Sequence, residues 1–88
     1  MMCSATDTSW VVQPNGVLLV NDRLRTTLMV HYPEAAVWDL LTRNPVDAVV
    51  RKMGYIAGLD RAAAEDLVRS AIDRWLDLGF LAREAVHG

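Results

Sequence analysis

TTLMVHY, residues 26–32, decides the fold. Threonine, valine, tyrosine and the long aliphatic side chains favour a pleated strand, yet every segment after it reads as helix. Alternation puts Leu28, Val30 and Tyr32 on one face and Thr27, Met29 and His31 on the other. Upstream, WVVQ (residues 10–13) is stopped by the turn signal Pro14-Asn15-Gly16. VLLVND (residues 17–22) follows, and DRLR (residues 22–25) connects it to TTLMVHY. Three short β-prone runs divided by turn residues imply a three-stranded antiparallel meander. In that order the third strand has a partner on one side only, and its other margin is expected to be bare.

Downstream of Pro33 the period changes. Proline suits the first turn of a helix and not the inside of a central strand. PEAAVWDLLTR sets Val37, Leu40 and Leu41 on one stripe with Trp38 at its flank. Asn44-Pro45-x-Asp47 is expected to end that helix and start the next, with Asn44 as the N-cap and Pro45 in the first turn. Val46, Val49, Val50 and Met53 form the second stripe, with Gly54 and Gly58 as terminators. Asp60 caps a third, longer helix whose apolar residues are Ala64, Leu67, Val68, Ala71, Ile72, Trp75 and Leu76. Its outer face carries Glu65, Arg69 and Asp73 at i, i+4 spacing. Gly79 stands where a helix-ending glycine belongs, and Phe80 and Leu81 turn back to the core. The expected class is α+β: a three-stranded antiparallel sheet followed by a three-helix bundle. Residues 1–9 read as a lead-in, 10–82 as one domain and 83–88 as a tail.

Composition narrows the function. Eighty-eight residues, 52% of them hydrophobic, can build one core, burying roughly 60–65% of the unfolded surface and leaving little volume for a deep catalytic cavity. Nine Lys+Arg against eleven Asp+Glu give a formal charge of −2, with no basic face for nucleic acid. Cys3 is the only cysteine, which removes disulfides and cysteine-based zinc sites. The opening MMCSATDTSW has neither the basic nor the apolar region of a signal peptide, and the aliphatic run at residues 17–20 is far short of a membrane span. A soluble, cytoplasmic chain is expected.

No catalytic constellation is present. His31 and His87 are the only histidines and share no ligand spacing with other donors, so no metal site is expected. No glycine-rich turn joins a strand to a following helix, so no phosphate cradle or cofactor site is expected. Trp38 and Trp75 belong to core stripes rather than to a base-stacking surface, and the arginines at 51, 61, 69 and 74 alternate with acids as on a solvated helix face. An enzyme is the weakest class.

AEDLVRSAIDRWLDLGFL (residues 64–81), closing on Leu-x-x-Gly-aromatic-Leu, resembles the end of the PqqD family of precursor-peptide recognition elements. GVLLVND followed by TTLMVHYPEAAVWDLL is similar to that family's two strands leading into an aliphatic-Trp-x-Leu-Leu helix, and PVDAVVRKM to its second helix. The resemblance covers residues 10–81. It implies a winged helix-turn-helix-like arrangement and a stand-alone peptide-binding adaptor or chaperone. Such an adaptor takes the leader of a ribosomally synthesised precursor peptide as an added strand in the groove between the third strand and the third helix. It then presents that peptide to a modifying enzyme: a radical S-adenosylmethionine maturase, protease, cyclase or ligase.

On this sequence the implied pairing edge is Thr27, Leu28, Met29, Val30 and His31. The facing wall is Leu67, Ser70, Ala71 and Arg74, with Arg74 suited to an acidic leader residue. The chain is expected as a monomer or as a dimer paired through that edge. The alternative is a winged-helix DNA-binding or transcription-regulator module. Its last helix would carry Asp60, Glu65, Asp66, Asp73 and Asp77 toward phosphates.

Overall fold

The computed structural model describes residues 2–4 and 7–83. Its elements run β1 (Met2–Ser4), β2 (Thr8–Gln13), β3 (Gly16–Asn21), β4 (Thr26–Val30), α1 (Glu34–Leu41), α2 (Val46–Ala57), α3 (Arg61–Leu78) and β5 (Leu81–Arg83). The main sheet is antiparallel in the order β2-β3-β4, and three helices follow it, as the hydrophobic periods require.

The core lies between one face of the sheet and the three helices. Val17 and Leu19 of β3 and Val30 of β4 are buried there, with Leu28 packed against them. From the helices come Val37, Trp38, Leu40 and Leu41, then Val49, Val50 and Met53, then Ala64, Val68, Ala71, Ile72 and Trp75. These are the stripes read from the sequence. Phe80 and Leu81 close the bottom, both buried.

The helix ends show how local chemistry sets geometry. Asp60 Oδ1 accepts the Ala63 N–H at 2.8 Å, so α3 begins on a side-chain cap. At the other end Gly79 adopts a left-handed φ of 86°, and the Phe80 N–H reaches back to the Trp75 carbonyl at 2.9 Å. A side chain at Gly79 would also collide with Leu24, its Cβ lying 2.6 Å from Leu24 Cδ1. Asn21, the one buried polar residue of the described core, donates from Nδ2 to the Gly79 carbonyl at 2.7 Å and accepts the Leu24 N–H at 2.9 Å. One side chain thereby ties the sheet to the end of α3.

Several local expectations change. Asn44 does not cap α2: its Nδ2 donates to the Leu40 carbonyl at the end of α1, its Oδ1 accepts from Lys52, and Pro45 occupies the cap position. An Asn between two helices can serve either end, and the orphan carbonyl of α1 is the nearer partner. Gly54 sits inside α2, and Gly58, at φ 65°, ends it. Tyr32 leaves the strand face, 60% exposed, with its hydroxyl 3.4 Å from the Ile56 carbonyl. On α3 the ion pair among the described residues is Arg61–Glu65 at 2.9 Å, one turn earlier than the Glu65, Arg69, Asp73 row.

The chain ends differ as well. Residues read as lead-in pair with the end of the domain and the first tail residue in a two-stranded ribbon, Met2 opposite Arg83 and Ser4 opposite Leu81, and β2 begins at Thr8 rather than Trp10. Three-residue strands paired across almost the whole chain leave no periodic signal. His87 and the tail from residue 84 lie outside the described residues.

Candidate functional site

Hydrogen-bonded and non-bonded pairs alternate along an antiparallel ladder, so one bond fixes the phase of the sheet. The Asp22 N–H donates to the Asp7 carbonyl at 3.1 Å, continuing the register in which Ser9 faces Val20, Val11 faces Leu18 and Gln13 faces Gly16. Those pairs are therefore bonded, as the two-residue turn at Pro14-Asn15 also demands. Val17, Leu19 and Asn21 then direct their main-chain groups to β4, where they meet Val30, Leu28 and Thr26. Thr27 and Met29 are left with both main-chain groups pointing out of the sheet.

Beyond β4 the same outward phase reaches the His31 N–H, while the His31 carbonyl accepts from Ala35 at the start of α1. Among the described residues nothing pairs with this margin, which thus offers five groups: N–H and C=O of Thr27, N–H and C=O of Met29, and N–H of His31. The β2–β3 turn buttresses its end. His31 Nδ1 lies 3.0 Å from the Asn15 carbonyl, to which it donates when it carries the proton. Any Cβ on Gly16 would fall 1.9 Å from the Val30 oxygen, so only glycine lets the turn lie this close.

A cleft of about 160 Å³ runs along this margin, lined by Leu28, Met29, Val30, His31, Glu34, Ala71, Arg74 and Trp75. The structure brings together Leu28, Met29, Val30 and His31 from the expected edge with Ala71 and Arg74 from the expected wall. Thr27 lies on the strand margin outside the cleft lining. Ser70 is exposed, and Leu67 is half-buried against the core; both lie earlier on α3 than the lining residues. Glu34 and Trp75 join the lining without having been singled out. Glu34 is the first residue of α1, which Pro33 starts directly at the strand end, and that adjacency was the available signal. Trp75 is buried, only 1% exposed, and its place on the core stripe gave no sign that it also borders the cleft.

The cleft is apolar at its floor and bipolar at its rim. Among the described residues neither Glu34 nor Arg74 enters an ion pair, and both lie at the surface within reach of an incoming chain. Three indoles run through the molecule from here: Trp75 meets Trp38 edge-to-face at 5.2 Å, and Trp38 meets Trp10 at 5.4 Å. A different cavity, about 300 Å³, lies between α2 and α3 at Val50, Gly54, Tyr55, Leu59 and Ala64, flanked by Arg51 and Arg61. It sits about 15 Å up α3 from the cleft, by helical rise, and borders no sheet margin. No group of three or more metal-ligating side chains occurs among the described residues. No described helix is long and apolar enough to cross a membrane.

No family model matches the chain, and no curated protein does. The fold is similar to a solved structure, a lasso peptide synthetase B1 complexed with the leader peptide. The TM-score is 0.85, covering 93% of this chain and 98% of that one at 13% identity. The likeness is one of fold and supports the α+β architecture of sheet followed by helices.

Proposed function

We propose that this chain is a PqqD-like, stand-alone adaptor that captures the leader of a ribosomally synthesised precursor peptide by strand addition at β4 and presents it to a modifying enzyme. The observation that carries the reading is the margin of Thr27, Met29 and His31, whose outward main-chain groups have no partner among the described residues and of which Met29 and His31 line the cleft beside Ala71, Arg74 and Trp75. The leader complex formed by the fold neighbour supports it. Thr27, Leu28, Met29, Val30 and His31 supply the edge in this reading. Leu67, Ser70, Ala71 and Arg74 supply the helical wall, extended by Glu34 and Trp75.

The energies are sufficient. Five hydrogen bonds at a net ~1 kcal/mol each and two or three apolar anchors at ~2 kcal/mol each exceed the ~8 kcal/mol of micromolar binding. The surplus offsets the ordering of a flexible peptide. The partner enzyme would be a radical S-adenosylmethionine maturase, protease, cyclase or ligase. A DNA-binding role is the weaker alternative, because α3 exposes Asp66, Asp73 and Asp77 to solvent.

The test is an NMR titration with leader peptides encoded near this chain. Amide shifts concentrated at residues 27–31 and 67–75 are expected. Shifts absent from β4, or salt-sensitive duplex binding in their place, would overturn the reading.

A further inference from the structure

The sheet has a second bare margin. In the order β2-β3-β4, β2 pairs with β3 alone, and the ladder phase that turns Thr27 and Met29 outward also turns out Thr8, Trp10 and Val12. Soluble proteins blunt such edges with a charge, an internal proline, a bulge or a covering element. β2 reads TSWVVQ, with none of the first three, and its register to β3 is unbroken. Thr8 is half-buried, but the strand beyond it lies open: Trp10 is 39%, Val11 53% and Val12 75% exposed.

We propose that β2 pairs antiparallel with β2 of a second copy of this chain, about a two-fold axis at Trp10. The outward residues are 8, 10 and 12, symmetric about 10. Setting Trp10 opposite its copy places Thr8 opposite Val12 in both directions, and every outward N–H and C=O finds a partner. A register shifted along the strand strands at least one of those residues. Charge agrees: β2 carries none, and Asp7 at its end falls opposite the uncharged Gln13 of the copy. The product is one six-stranded sheet with exposed Val12 beside Thr8 and the two half-exposed Trp10 rings together at the dyad.

A six-residue strand covers less than the ~800 Å² per partner of a standard interface. The dimer is therefore of the weak, transient class. Its functional meaning is geometric. The joined margins are the ones away from β4, so each copy keeps its own cleft open.

Sedimentation velocity on the full chain across low-to-high micromolar concentration is the test. The expected result is a reversible rise from the 9.8 kDa monomer toward dimer, with amides 8, 10 and 12 broadened in parallel. Val12→Pro deletes an outward N–H without touching the β2–β3 ladder and is expected to weaken association at least 10-fold. Val12→Lys keeps the N–H, adds an edge charge and is expected to act in the same direction, which decides the matter if the proline variant misfolds. Met29→Pro, on the other margin, leaves association unchanged. A chain monomeric throughout the range overturns the proposal, as does a dimer that survives both Val12 variants. Broadening of amides 8–12 only when a modifying enzyme is added also overturns it, assigning the edge to that partner.

Discussion

β4 and β2 are the two margins of one sheet, alike in hydrogen-bonding phase and unlike in what stands beside them. β4 faces a helix across a cleft, with an acid and an arginine at the rim and a tryptophan in the wall. β2 faces solvent and carries uncharged side chains. A margin with a wall can read side chains; a margin without one offers main-chain bonds and bulk. The two proposals divide along this line: selectivity for a foreign peptide would belong to β4, and self-pairing to β2.

The sharpest way to break this contrast is a proline pair on β4. Leu28 sends its main-chain groups to β3 and its side chain to the core, so Leu28→Pro should cost about 3 kcal/mol or more and lower the melting temperature by roughly 10–25 °C. Met29→Pro removes only an outward donor. It should leave melting within about 5 °C yet weaken leader binding about 10–100-fold, because the peptide carbonyl is left unpaired at ~1–3 kcal/mol. Calorimetry and a peptide titration on both variants check the phase. Equal melting losses would show the margin was assigned backwards.

Asn21→Leu comes next. Loss of its bonds to Gly79 and Leu24 should cost ~1–3 kcal/mol, lowering the melting temperature by about 5–20 °C. Loosening α3 against the sheet should also weaken leader binding while leaving association through β2 intact.

Arg74→Glu is smaller. For a leader carrying an acid opposite this position, affinity should fall about 3–10-fold at low salt, as for an exposed pair reversed in sign. The difference should shrink at high salt, with melting unchanged. Smallest of all, Val12→Pro should change leader affinity less than about 2-fold, since Val12 lies on the opposite margin and distant sites act nearly independently. A larger loss would mean the two margins communicate.

Where signals are local, the sequence is enough. Asp60, Gly79 and the stripes from Val37 to Trp75 sit where propensity and period place them. The free side of β4 was legible from strand order; Leu28, Met29, Val30, His31, Ala71 and Arg74, named from the family resemblance, line one cleft. Contacts set by tertiary approach were not. Asn21 meets Gly79 across 58 positions, Glu34 reaches the cleft only because α1 starts at the strand end, and β1 finds β5 from opposite ends of the chain. The β2 margin leaves no mark for another reason: the turn at Pro14-Asn15-Gly16 specifies the paired side of WVVQ, and nothing in the strand specifies the other.

The run of edge-to-face indoles from Trp75 through Trp38 to Trp10 has an optical consequence. Rings 5.2 and 5.4 Å apart are close enough to pass excitation along the row, so the emission is expected to report on all three indoles together. A peptide in the cleft beside the buried Trp75 and a copy settling on Trp10 would then tint the same light, and replacing Trp10 with phenylalanine would help tell the two events apart by colour.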